Sequence, residues 1–194
     1  QEPLDLCPGC PRVTEIPDFY FYANNGLLEL KATDNNELFL LPNYNLLIKS
    51  PKSSASKVIS LIGVAINGQN YFFSLDGAGN FYQSDFSVPG SPGRYNLIIS
   101  VLYSDKTLAK KSWPVEVLPW GKIIDNLSGQ NIKPAEITVL KDGQLFNGWG
   151  AVNPLTASDF YGAMLPLGRY TLQVKASGYQ NYVSSEIIID NYVL

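Results

Sequence analysis

PGRYNLIISV at residues 92–101 and LGRYTLQVKA at residues 167–176 share the pattern G-R-Y-x-L and decide how the rest of the chain is read. In the second stretch Tyr170, Leu172, Val174 and Ala176 alternate with Arg169, Thr171, Gln173 and Lys175, the period of two expected of a half-buried strand. In the first, Tyr95, Leu97, Ile99 and Val101 hold the same inward register, while Ile98 and Leu102 add apolar weight outside, so this strand is expected to be covered more fully than the second. A Gly two residues before a Tyr at a strand entry is the pattern of a tyrosine corner, in which the phenolic hydroxyl bonds back to the loop backbone. One such strand in each half of the chain implies one β-sandwich in each half.

The surrounding sequence agrees. Runs of β-branched and aromatic residues recur between turn residues, with no sustained helical period. N-G at Asn67–Gly68, D-G-A-G-N at 76–80, S-D-K-T at 104–107 and D-G at Asp142–Gly143 mark hairpin turns, because Gly, Asn and Asp tolerate positive φ or close a local hydrogen bond. Neighbouring strands are therefore expected to be antiparallel. With 194 residues, the chain suits two β domains of about 100 residues each. The boundary falls at Leu118–Pro119–Trp120, a linker short and stiff enough to favour a fixed angle. This gives an extended arm over 1–17, with four prolines, a first sandwich over 18–118 and a second over 119–194.

Composition excludes several functions. There is no His, which removes Ser-His-Asp and Cys-His catalysis and His-containing zinc sites. Net charge is −3 and the basic residues form no run beyond Lys110–Lys111, so the chain has no surface for a phosphate backbone and nucleic acid is not an expected partner. The longest apolar run, Val58–Ile66, is far below the roughly 20 residues of a membrane helix. No cofactor is expected. The acids Asp18, Asp34, Glu37, Asp76, Asp85, Asp105, Asp125, Asp142, Asp159 and Asp190 lie mainly at turns. There they read as turn chemistry rather than as a catalytic pair or a calcium loop.

Two features invite a binding role. Cys7 and Cys10, the only cysteines, stand in C-P-G-C, the spacing of thioredoxin-like sites. Such a site needs a helix N-terminus at its first Cys to hold the thiolate, and Pro11, Val13 and Thr14 follow instead. The reading is a local disulfide that stiffens the arm; a bridge to another chain, or half of a metal site completed by one, are the alternatives. Trp149, between Gly148 and Gly150, either stacks on a sugar or docks a partner, or folds back over the sandwich end. Trp113 and Trp120 are expected to pack at the junction between the domains.

From Gly121 onward the chain resembles the carboxypeptidase regulatory-like, or prealbumin-like, domain family. The resemblance is carried by Gly121, Ile123, Asp125, Gly129, Ile132, Ala135, Ile137, Val139, Thr156, Gly168, Tyr170, Leu172, Val174, Gly178 and Tyr179. Departures are Leu167, where the family has Gly or Pro, and a turn stretched over Thr156, Asp159 and Gly162. The resemblance implies a transthyretin-like sandwich without catalytic residues, of a kind found beside peptidases and repeated in bacterial surface and secreted proteins. Residues 71–108 resemble a bacterial immunoglobulin-like domain.

Together these readings describe an all-β chain: two tandem antiparallel sandwiches, immunoglobulin-like then transthyretin-like, behind an extended arm. The expected role is a non-enzymatic spacer, stalk or adhesion segment of an exported microbial protein, extracellular or on the cell surface, with the start at Gln1 fitting signal removal or excision from a longer chain. Its partners would be proteins or neighbouring domains of a surface assembly, joined by strand addition at the arm or an exposed edge. A glycan partner, as in a carbohydrate-binding module, and an accessory role beside a secreted peptidase are the alternatives.

Overall fold

The computed structural model describes residues 5–147, 155–157 and 161–190, and these form two compact units, Gln1–Leu118 and Pro119–Leu194. Unit 1 runs β1 (Arg12–Val13), β2 (Tyr20–Ala23), β3 (Leu28–Leu30), β4 (Leu38–Leu40), β5 (Asn45–Pro51), β6 (Ile59–Ile66), β7 (Gln69–Phe72), β8 (Ser74–Leu75), β9 (Phe81–Ser87), β10 (Gly93–Tyr103) and β11 (Leu108–Val117). Unit 2 continues with β12 (Ala135–Lys141), β13 (Gln144–Leu145), β14 (Leu155–Ala157), β15 (Gly168–Lys175), β16 (Tyr182–Val183) and β17 (Ile187–Ile189). The described residues contain no α-helix, hence no helix long and apolar enough to cross a membrane.

Unit 1 is a sandwich of two sheets. One has the order β1-β11-β10-β6-β7 with β4 also on β11, and the other β3-β2-β5-β9-β8. Alternation along the strands sends Leu97, Ile99 and Val101 of β10 and Ile62 and Val64 of β6 into the core, together with Leu46 and Ile48 of β5, all essentially inaccessible. Trp113 joins this core through edge-to-face contacts with Phe19 and Phe21, ring centroids 6.0 and 5.3 Å away. It therefore belongs to the interior of unit 1 and not to the domain junction expected for it: register pairs it with the inward-facing Leu97. The outer face of β10 is covered as expected. Ile98 and Leu102 are half-buried, and Ser100 between them is 2% exposed.

The turns form where the local chemistry places them. Asn67 and Gly68 (φ 48° and 74°) join β6 to β7, and Asp142 and Gly143 (φ 49° and 78°) join β12 to β13; two consecutive positive φ values are the two-residue turn that matches strand twist. Antiparallel pairing is not universal, however. β1 and β4 both lie parallel to β11, at Leu108–Ala109 and at Val115–Val117. The chain reaches this edge by crossing between the two sheets, so direction here is set by the crossover and not by a hairpin.

Among the described residues of unit 2, one sheet holds every strand, in the order β13-β12-β15-β16 with β14 on β12 and β17 on β15. Its inward residues Ala135, Ile137 and Val174 pack against Ile123 and Tyr161. The second layer is thus built from bridged segments: Gly121 pairs with Tyr161 and Ile124 with Asn131. A Cβ at Gly121 would come within 2.9 Å of the Tyr161 ring, so glycine is what lets the two segments close.

Both G-R-Y entries form the same corner. The Tyr95 hydroxyl donates to the Ser91 carbonyl at 2.8 Å, and the Tyr170 hydroxyl donates to the Pro166 carbonyl at 2.7 Å. Their surroundings differ: Tyr95 is half-exposed, whereas Tyr170 is 1% exposed. Beside the second corner, the Lys141 ammonium donates to the Leu167 carbonyl at 3.1 Å and lies 5.7 Å from the Tyr170 ring centroid.

Candidate interaction edges

The arm carries the two cysteines as a disulfide, Cys7–Cys10. The Cys10 amide donates to the Cys7 carbonyl at 3.1 Å, and Gly9 has φ 86°. Pro at the second and a positive-φ Gly at the third position make a type II turn, which the bridge closes. No helix follows either cysteine; the chain goes directly into β1. The arm is then tied down without covalent bonds. Leu108 donates to the Pro11 carbonyl at 2.9 Å, the Tyr103 hydroxyl donates to the Glu15 carbonyl at 3.0 Å, and the Asp5 carboxylate lies 3.4 Å from Arg12 and 3.7 Å from Lys110. The cysteine pair is a clip on a docked arm.

Beside the arm, unit 1 has a groove of about 350 Å³. It is lined by Pro17–Phe21, Glu29–Ala32, Lys111 and Trp113. Lys111 sits 4.9 Å from the Trp113 ring centroid, a cation–π contact that partly occupies the aromatic surface. Trp149, the aromatic singled out from the sequence, lies outside the described residues.

The carboxylates serve their own turns. Asp76 Oδ1 accepts from the amides of Asn80 and Phe81 at 2.8 and 3.1 Å. Asp125 accepts from the Leu127 amide at 2.9 Å and from Ser128 Oγ at 2.8 Å; the first bond, then the second, holds its carboxyl below the usual range. Asp105 is lowered to about 2 by Lys57 Nζ at 2.7 Å, and then by the Thr107 hydroxyl and amide. Among the described residues no group of three or more acids and cysteines is gathered as for a metal ion. Asp85 departs from the turn reading, standing exposed within β9, and Asp159 lies outside the described residues.

Each sheet has its own edges, and two edge stretches, the part of β11 between β1 and β4 in unit 1 and the β16–β17 side of unit 2, have opposite chemistry. In unit 1 the Leu108 amide bonds to Pro11 and the Leu118 amide to the Leu40 carbonyl, so strand alternation points the backbone of Lys110, Ser112 and Pro114 away from β10. Between β1 and β4 this stretch has no strand partner among the described residues. It is nevertheless guarded. Pro114 has no N–H to offer, Lys110 is ion-paired to the arm, and charge and proline on an edge both oppose further pairing.

In unit 2, β16 and β17 lie in succession along one side of β15. Val174 pairs with Tyr182 and Gln173 with Val183, then Tyr170 pairs with Ile187 and Arg169 with Ile188. The register slips by one residue between the two groups, a β-bulge over Ser184–Glu186. Ser184 fills it: its amide donates to the Leu172 carbonyl at 2.9 Å, its Oγ accepts from the Leu172 amide at 2.9 Å, and that hydroxyl donates to the Ser185 carbonyl at 2.7 Å. On the side away from β15 this interrupted strand has no partner among the described residues. Its apolar side chains are open on both faces, with Tyr182 59%, Val183 58%, Ile187 38% and Ile188 55% exposed. The one charge within it, Glu186, is answered by Arg169 at 2.9 Å. The sequence signal for this edge was the run E-I-I-I-D at 186–190, whose apolar residues do not alternate and so face both ways.

No family model matches the chain, and no curated protein matches it. Among solved structures it is similar to the fibronectin(III)-like modules of CbhA from Clostridium thermocellum, at 15% identity and a TM-score of 0.32, over 79% of this chain and 90% of that one.

Proposed function

We propose that this chain is a non-enzymatic structural or interaction module of an exported microbial surface or secreted protein, and that it joins a neighbouring subunit by strand addition at Tyr182–Ile189. The observation that carries the reading is the contrast between the edges. Unit 1 guards its open stretch, while unit 2 leaves an apolar strand with one unpaired side, the surface on which an added strand gains both backbone hydrogen bonds and side-chain burial. The resemblance of unit 2 to the carboxypeptidase regulatory-like family supports the same role, and the arm disulfide fits an oxidising compartment.

Two measurements test it. Protease shaving of intact source cells should release peptides of this chain, and their absence would remove the surface assignment. Hydrogen exchange of the chain in its native assembly should protect the amides of Val183 and Ile188 relative to the purified chain. Equal exchange in the two states would rule out strand addition there. A second reading, carbohydrate binding, rests on the unit 1 groove, where Tyr20 is 39% exposed beside Asp18 and Asn36. It requires glycan-array binding that is lost in Tyr20→Ala.

A further inference from the structure

The identity of the strand that docks on unit 2 can be narrowed by charge, and this step rests on the reading of Tyr182–Ile189 as an addition edge. β17 is three isoleucines between two acids, Glu186 and Asp190. Glu186 reaches Arg169 at 2.9 Å, yet its side chain remains 48% exposed. Asp190 is exposed and has no ion pair among the described residues. The edge is thus apolar in its centre and acidic at both ends.

A second copy of this chain is poorly matched to it. Pairing β17 antiparallel with its copy so that all three isoleucines are used puts Ile188 opposite Ile188 and Ile187 opposite Ile189. Symmetry then sets Glu186 opposite Asp190 at both ends. Like charges directly opposite in a ladder are destabilising, and sliding the copies apart to avoid them gives up isoleucine pairs. A strand with cations at those two positions turns both repulsions into attractions. Glu186 and Asp190 are four residues apart, about 13 Å along an extended strand, so the complementary cations are also four residues apart.

We propose that the natural occupant of this edge is an extended strand from a different protein, apolar through its centre and carrying a Lys or Arg at each end of a five-residue stretch. The test uses the full chain and two labelled peptides, one with the core Lys-Val-Ile-Val-Lys and one with Glu-Val-Ile-Val-Glu, followed by fluorescence anisotropy. At low salt the basic peptide binds about tenfold more tightly than the acidic one, and the ratio falls towards one in 1 M NaCl as the end charges are screened. The double variant Glu186→Gln with Asp190→Asn, which leaves the core of unit 2 untouched, loses the preference without losing binding.

Equal affinity for the two peptides would overturn the charge rule while leaving strand addition in place. Binding of neither would overturn both. Sedimentation equilibrium supplies the remaining outcome: a dimer of the unmodified chain that Ile188→Lys dissociates would make a second copy the occupant and overturn the proposal.

Discussion

β10 in unit 1 and β15 in unit 2 begin with the same three residues and the same corner, yet they occupy different positions in their sheets. β10 is interior, paired with β11 over Gly93–Leu102 on one side and with β6 over Ile98–Tyr103 on the other. β15 has the regular strand β12 on one side and only the interrupted β16 and β17 on the other. The difference teaches that a strand motif fixes its own start and alternation, while its neighbours decide whether a sheet closes on itself or remains open to another chain. Unit 1 has long strands, a guarded stretch of β11 and an aromatic core. Among the described residues, unit 2 buries fully only Ala135, Ile137, Val139, Tyr170 and Val174 of its apolar side chains, and ends on exposed isoleucines.

The largest effect that bears on this contrast is expected from the unit 1 core. Trp113→Ala removes a buried indole held by Phe19 and Phe21 and should cost about 3–5 kcal/mol in urea denaturation followed by circular dichroism. A cost below about 1 kcal/mol would mean that the aromatic cluster does not seal the unit. Next come the two corners. Tyr170→Phe leaves the Pro166 carbonyl without its donor in a buried setting and should cost about 1–2 kcal/mol, while Tyr95→Phe, where water can replace the hydroxyl, should cost about 0.5 kcal/mol. The reverse order would contradict the burial difference between the two.

The edges themselves offer smaller stability effects but a sharper readout. Ile188→Lys places a charge on an exposed position and should change stability by no more than about 0.5 kcal/mol, yet abolish association through unit 2. Lys110→Val with Pro114→Val should do the opposite in unit 1 and raise the sedimentation coefficient through new edge-to-edge pairing; if that variant stays monomeric, the lysine and proline are not the guard. The smallest effect is confined to acid. Bonds to Lys57 and Thr107 hold the Asp105 carboxyl at about 2, below the ordinary carboxylate range. Its contribution to stability is therefore complete above the unfolded value and is lost as pH falls through about 2. A urea midpoint of Asp105→Asn that follows pH as the parent chain does between 4 and 2 would exclude this ion pair as the cause.

What could be read in the sequence was what local chemistry controls. The hairpin at Asn67–Gly68 and the one at Asp142–Gly143 follow from residues that accept positive φ, and the corner tyrosines from their place after Gly93 and Gly168. The all-β class followed from the same signals. The parallel docking of β1 and β4 on β11 could not be read, because it depends on crossovers between two sheets and not on any dipeptide. For the same reason Trp113 was expected at a junction: its nearness to the linker in sequence says nothing of Phe19 and Phe21, which reach it from another strand region. The unit 2 edge lay between these cases. Its three isoleucines carry the signal of a strand apolar on both faces, which the sequence reading did not use, and that the strand borders the sheet follows only from its pairing with β15 alone.

The ring that Cys7 and Cys10 close encloses only Pro8 and Gly9, and its ends, 5.5 Å apart, would be about 10 Å apart with the chain drawn straight. Under tension along the chain, such a clip withholds almost no contour length, and its reduction would lengthen the molecule by a negligible amount. The arm's resistance to pulling therefore resides in non-covalent ties, the hydrogen bonds of Leu108 and Tyr103 and the Asp5–Lys110 ion pair, which can reform after they break. The bridge acts as a stiff knot at the end of a releasable tether, and a chain that is stretched and relaxed would redock the same arm in the same place.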